Sequence, residues 1–179
     1  MQWYLILKRV YKTTCSAENS EYELFNLRGF SMYERTIDSL NQLILNQEEM
    51  IESYGRLIKD LEDHELKGIL KKVQESHFAQ MMVMSDRIIE LGGEPKFDMG
   101  LIGTIDDMRY NHDRKKDLTD LENARICLDA EKFFVEKLSL FETDEIDTTS
   151  LELIQKSVNM QQENIKQLEE YINKKEVMQ

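Results

Sequence analysis

Apolar residues recur every three or four positions from Met32 onward, the spacing that places side chains on one face of an α-helix. The first stripe comprises Ile37, Leu40, Ile44, Gln47, Ile51, Tyr54, Ile58 and Leu61. The second comprises Leu66, Leu70, Val73, His77, Gln80, Met84, Ile88 and Leu91. Because only a few residues separate the stripes, and Asp63 among them can serve as an N-cap, the two helices are predicted to form an antiparallel hairpin.

Two more stripes follow after a longer connection. The third comprises Leu121, Ala124, Leu128, Glu131, Val135 and Leu138, and the fourth comprises Leu151, Ile154, Val158, Gln161, Ile165, Leu168 and Ile172. Gly92-Gly93 followed by Pro95 is a strong signal for the end of the second helix. The next stretch, to about residue 117 with a short helix near 102–112, is too long for a hairpin turn. Hairpin, long crossover and hairpin predict an all-α, ferritin-like four-helix bundle over about residues 33–174.

Residues 1–31 lack the helical period and are predicted to stand outside the bundle domain at 32–179. They are interpreted either as a disordered arm or as the product of a mis-assigned translation start. The second interpretation follows from Arg28-Gly29, which purine-rich codons resembling a ribosome-binding sequence can encode shortly before Met32. The nucleotide sequence tests it, because pyrimidine-rich codons at this point would contradict the hypothesis.

The amino-acid composition excludes several classes of fold and binding partner. The 179 residues include 23 Lys and Arg against 35 Asp and Glu, a net charge of −12, which disfavours nucleic acid and anionic membranes. With seven Gly and one Pro, the chain has too few turn residues for an all-β fold. Cys15 and Cys127 form neither a disulfide framework nor a zinc motif, which fits a cytoplasmic protein. We therefore expect a homo-oligomer or a protein partner.

Each of the four stripes carries a polar residue near its centre, and these residues are predicted to meet in one layer. The predicted polar core layer comprises Gln47, His77, Gln80, Glu131, Gln161 and Gln162. In di-iron carboxylate bundles the corresponding layer holds a Glu from each of two helices and a Glu-x-x-His from each of the others. His77 and Glu131 are therefore the candidate metal ligands, and no catalytic residue is assigned.

Several segments resemble a bacterial ferritin-like family catalogued as a domain of unknown function, in the superfamily of rubrerythrins and ferritins. They are Leu40-Asn41 through Tyr54, Glu65-Leu66 through Pro95, Gly100-Leu101-Ile102-Gly103 and Ala130-Glu131. The resemblance covers about residues 37–172. It implies metal ligands at the positions of Gln47, seven residues before Tyr54, and of the pair His77-x-x-Gln80. In the fourth helix it implies Asn159-x-x-Gln162 or Val158-x-x-Gln161.

One carboxylate and one imidazole are few ligands for two irons, so the layer is interpreted as a degenerate di-iron site. The predicted function is that of a non-catalytic bundle acting through its surface or by oligomerising. No cofactor is expected, although iron or another divalent metal could bind at low occupancy. The alternative is a metal-binding, ferritin- or rubrerythrin-like oxidoreductase or iron-handling stress protein. It would use Glu131 and His77 with carboxylates placed elsewhere, such as Glu48, Glu49, Glu52 or Glu75.

Overall fold

The computed structural model describes residues 20–97, 118–139 and 146–178. Within these ranges all regular structure is helical, in four helices: α1 (Ser20–Asp60), α2 (His64–Glu90), α3 (Asp120–Ser139) and α4 (Thr148–Val177). The predicted four-helix, all-α class is confirmed. The short helix predicted near 102–112 lies outside the described residues.

Contacts at the helix ends fix the direction of each helix. At one end, the Asp120 carboxylate of α3 accepts hydrogen bonds from the backbone amides of Glu62 and Asp63, between α1 and α2. At the other end, Arg87 near the end of α2 donates to Asp147 and Ser150 at the start of α4. Helices α1 and α4 therefore run one way and α2 and α3 the other. The end of α2 and the start of α3 therefore lie at opposite ends of the bundle, the arrangement that goes with a long crossover in ferritin-like folds.

Helix α2 begins and ends at residues that suit its termini. The Asp63 side chain accepts from the backbone amides of Glu65 and Leu66, so the predicted N-cap is confirmed. At the other terminus, Gly92 has φ +79° and its amide donates to the Ile89 carbonyl, while Gly93 donates to Ile88. This is the Schellman arrangement, and the positive φ accounts for glycine at position 92.

Helix α1 begins at Ser20 rather than at Met32, where the apolar pattern becomes periodic. The predicted domain boundary therefore does not coincide with the start of a helix. Good helix formers such as Glu21, Glu23 and Leu24 precede Met32, and helical propensity does not require an apolar stripe. The hypothesis that translation starts at Met32 stays a prediction.

The core lies between the four helices and consists mainly of apolar side chains. Helix α1 packs along α2, α3 along α4, and α2 against α4. Among the fully buried side chains are Leu40, Ile44, Leu70, Ile88 and Leu168. Burial of this apolar surface is the main favourable contribution to folding. Buried polar side chains interrupt this core, and one hydrogen-bonded group of them, contributed by all four helices, lies near the middle of the bundle.

Candidate functional site

Six buried polar side chains, contributed by all four helices, meet near the middle of the bundle. They are Gln47 on α1, His77 and Gln80 on α2, Glu131 on α3, and Gln161 and Asn164 on α4. In α2 and in α4 the two residues are three positions apart, so both side chains face the core from successive helical turns. We call this set the central ring, because its hydrogen bonds close into a circuit.

His77 is hydrogen-bonded to Glu131, the one carboxylate in the central ring. His77 Nε2 lies 2.8 Å from Glu131 Oε1, and both side chains are fully buried. The Tyr54 hydroxyl donates to the same Glu131 oxygen at 2.5 Å. On its other side, His77 Nδ1 contacts the Gln47 carbonyl oxygen. Both nitrogens of the imidazole are thus engaged by side chains of the protein.

The aromatic rings of Tyr54 and Phe134 lie beside the imidazole of His77. Their centroids lie 5.7 and 5.8 Å from that of His77. Burial, and next the negative charge of Glu131, raise the pKa of the Tyr54 hydroxyl well above its ordinary value. Tyr54 therefore keeps its proton and acts as a hydrogen-bond donor to the carboxylate.

Amide side chains complete the rest of the circuit. Gln80 Oε1 accepts from Gln47 Nε2 at 3.0 Å, from Gln161 Nε2 at 3.3 Å and from the Ser157 hydroxyl. Asn164 Nδ2 donates to Gln161 Oε1 at 3.1 Å and lies 3.4 Å from Glu131 Oε2. Every member of the central ring therefore has hydrogen-bond partners within the protein, as buried polar groups require.

The structure brings together five of the six residues predicted for the layer. Gln162 is the exception: it is exposed, so its assignment to the core was wrong. It follows Gln161 by one residue and hence lies about 100° further round the helix. Asn159 is also exposed.

The buried polar pair of α4 is Gln161-x-x-Asn164, in place of either pair implied by the family resemblance. Asn164 and Ser157, which lie three positions after and four before Gln161, were not among the predicted residues. That spacing is the signal that could have found them, since it places all three on one face.

The residues present do not fit a di-iron centre. The six positions of the central ring match in number and spacing the Glu and Glu-x-x-His ligands of di-iron carboxylate bundles. Four of the six are neutral amides here, and both imidazole nitrogens and both Glu131 oxygens already have protein partners. One carboxylate cannot balance the charge of two ferrous ions, which prefer carboxylate and imidazole ligands.

The alternative carboxylates do not supply the missing ligands. Glu75 is exposed, and Glu49 and Glu52 are half-buried. Glu48 is buried, but it lies next to Gln47 in sequence and therefore about 100° away round α1. Over the described parts of the chain, no three His, Cys, Asp or Glu side chains come together as a group that could hold a metal ion.

Comparison with known protein families decides the classification. The family model described as "Domain of unknown function (DUF2383)" matches residues 35–138. The chain belongs to this family. The match spans α1 from residue 35, the whole of α2 and most of α3, including Gln47, His77, Gln80 and Glu131.

One solved structure supports the fold of this DUF2383 protein. It is the dodecameric thioferritin, a bacterioferritin-related protein, from Bacteroides fragilis. The two share 16% identity with a TM-score of 0.56, over 89% of this chain and 96% of the thioferritin. At this identity the likeness shows a ferritin-like fold alone. No curated protein matches the chain. No helix in the described ranges is long and apolar enough to cross a membrane.

Proposed function

We propose that this DUF2383 protein is a metal-free, ferritin-like bundle that acts by self-association, with the central ring in place of a di-iron site. The observation that carries the proposal is the amide content of the ring. Four neutral side chains stand at positions where di-iron bundles place charged ligands or imidazole, and they are satisfied by one another. Such a layer ties four helices together without a cofactor. We place the protein in the cytoplasm, in keeping with its cysteine content.

Metal analysis tests the first half of this proposal. The protein is expressed in iron-supplemented medium, purified without chelators, and its metals are quantified by mass spectrometry. We expect far less than one iron per chain, and no oxidation of added Fe(II) above a protein-free control. Two irons per chain with Fe(II) oxidation would instead support the iron-handling oxidoreductase.

A variant with restored ligands supplies the positive control. It combines Gln47→Glu, His77→Glu, Gln80→His, Gln161→Glu and Asn164→His, which together with Glu131 recreate the ligand set of di-iron bundles. We expect this variant, checked for helix content by circular dichroism, to bind about two irons per chain. If the variant is folded and still binds none, the ring positions are not equivalent to the di-iron ligand positions.

The outer face of α2 is the surface that we propose for self-association. It exposes the apolar side chains of Phe78 (52%), Met82 (43%) and Ile89 (61%). Their spacing of four and seven residues places them on one side of the helix. Grouped exposed apolar side chains are typical of interaction sites, whereas single ones are common on any surface.

Charge along this face favours a second copy of the same chain. Exposed Lys71 and Lys72 lie before Phe78, and exposed Asp86 lies after Met82. Two copies related by a twofold axis near Phe78 would run their α2 helices in opposite directions. Lys71 and Lys72 of each copy would then lie toward Asp86 of the other. The thioferritin with the same fold is a dodecamer, which also favours assembly.

Sedimentation or multi-angle light scattering tests this surface. We expect the unmodified protein to be larger than a monomer, and the double variant Phe78→Glu/Met82→Glu to shift toward monomer. Phe133→Glu is the matched control, because Phe133 on α3 is similarly exposed (42%) but lies on another helix. A monomeric wild-type protein, or equal shifts in both variants, would contradict the assignment.

A further inference from the structure

We infer that the hydrogen bonds of the central ring have one fixed direction, set by Glu131. With the bonds in this direction, one hydrogen lies between His77 Nε2 and Glu131 Oε1. It connects directly the two side chains that are the candidate metal ligands. The inference rests on the proposed function, since it requires that no metal occupies the ring. It assigns to Glu131 a positioning role for side chains on all four helices.

The direction follows first from the carboxylate. An ionised Glu only accepts hydrogen bonds, so the Asn164 group that faces Glu131 Oε2 at 3.4 Å is the NH₂. The same NH₂ is 3.1 Å from the side-chain oxygen of Gln161. The amide nitrogen of Gln161 is therefore the end that faces Gln80.

The next two amides carry the direction on to the imidazole. Because Gln161 presents its NH₂, Gln80 must present its oxygen, which also accepts from Gln47 Nε2. The NH₂ of Gln80 points the other way, to the Ser76 hydroxyl at 3.1 Å. Gln47, having donated to Gln80, has its carbonyl oxygen left for His77.

His77 Nδ1 consequently carries a hydrogen. It faces the Gln47 oxygen in a short contact, whereas Gln161 Nε2 is 3.4 Å away and nearer to Gln80. His77 Nε2 faces Glu131 at 2.8 Å, and one hydrogen suffices for that contact whether it is held by the imidazole or the carboxyl. In either case the hydrogen on Nδ1 is the one that faces the Gln47 oxygen.

Replacing Glu131 by Gln reverses the circuit. Tyr54 and His77 both approach Oε1, so the carboxamide would keep its oxygen there and present its NH₂ to Asn164. Two NH₂ groups cannot share a hydrogen bond, so Asn164 must turn over. Gln161, Gln80 and Gln47 must follow, and His77 Nδ1 then becomes an acceptor.

Nitrogen NMR of the full chain labelled with ¹⁵N-histidine tests the inference. The chain has three histidines, and the variants His64→Gln and His112→Gln assign the signals of His77. We expect Nδ1 of His77 to be protonated at neutral pH in the unmodified protein. In Glu131→Gln we expect Nδ1 to lose its hydrogen and Nε2 to hold one.

Glu75→Gln is the matched control, because Glu75 is an exposed carboxylate two residues from His77 and should leave its signals unchanged. An unprotonated Nδ1 in the metal-free wild-type protein overturns the inferred direction, even if Glu131→Gln fails to fold. Metal content is measured on the same sample. His77 signals that change on dialysis against a chelator, with release of metal, would contradict the proposed function instead.

Discussion

Polar side chains join the helices of the bundle in several places, and two of these places are built on different principles. The central ring is buried, and four of its six members are neutral amides. The second place, which we call the basal cluster, lies where α2 begins and α4 ends. It comprises Asp63, Glu65, Asp120, Lys174 and Lys175. Its side chains are charged and all are partly or largely open to solvent.

This contrast reflects the cost of removing charge from water. In the basal cluster, Lys174 and Glu65 form a 2.7 Å ion pair with about half of each side chain exposed, so water and salt screen it. In the central ring water is excluded, and any group that loses its partner retains the full desolvation penalty. Completeness therefore matters more in the ring than the strength of any one hydrogen bond.

His77→Leu should have the largest effect on stability. It leaves the fully buried Glu131 carboxylate without its imidazole partner and frees the Gln47 carbonyl. Breaking a buried pair from one side costs about 3–5 kcal/mol in free energy of unfolding. Urea denaturation followed by circular dichroism measures this loss.

The double variant His77→Leu/Glu131→Leu shows whether the loss is due to the stranded carboxylate. We expect it to be less destabilised than the sum of the two single variants, because no charge remains buried. Additive effects would mean that His77 and Glu131 contribute independently to stability, which would contradict their coupling through a buried hydrogen bond.

Gln161→Leu should have an intermediate effect. It removes a donor to Gln80 and the acceptor for Asn164, which leaves buried polar groups unpaired at a cost of about 1–3 kcal/mol. Gln162→Leu is the matched control, since the neighbouring glutamine is exposed and its replacement should change stability by less than about 0.5 kcal/mol. Equal stability of both variants in urea would show that the ring bonds contribute little.

Periodicity predicted the helices and most of the central ring because both follow from the 3.6-residue repeat. Gln47, His77 and Glu131 interrupt otherwise apolar stripes, which suffices to place them in the core. The error at Gln162 arose because adjacent glutamines can be told apart only when the phase of the helix is known to within one residue. Asn164 was missed because the motif spacing was applied two or three residues too early along α4, at 159/162 or 158/161 instead of 161/164.

Partnerships between helices could not be predicted in the same way. The contacts of Tyr54 with Glu131 and of Asp120 with the α1–α2 connection join residues more than fifty positions apart. Such pairs depend on how the helices are aligned along their axes, which the helical repeat of each one does not specify. The sequence also could not predict which end of each side-chain amide donates and which accepts, because this depends on the contacts between all members of the central ring.

Asp63→Asn should have the smallest effect, and one that depends on pH. The hydrogen bond from Lys175 is the main reason that the pKa of Asp63 is lowered from 3.8 to about 2. A lowered pKa stabilises the fold above the unfolded value, and that contribution is lost as pH falls from about 4 through 2. Asn keeps the cap on α2, so the loss of unfolding free energy at neutral pH should be below about 1 kcal/mol.

The Asp63→Asn variant should also show a flatter pH dependence of unfolding free energy between pH 4 and 2 than Glu62→Gln, which alters the neighbouring exposed carboxylate. Identical profiles for the two variants would mean that the basal cluster contributes no more than an ordinary surface charge.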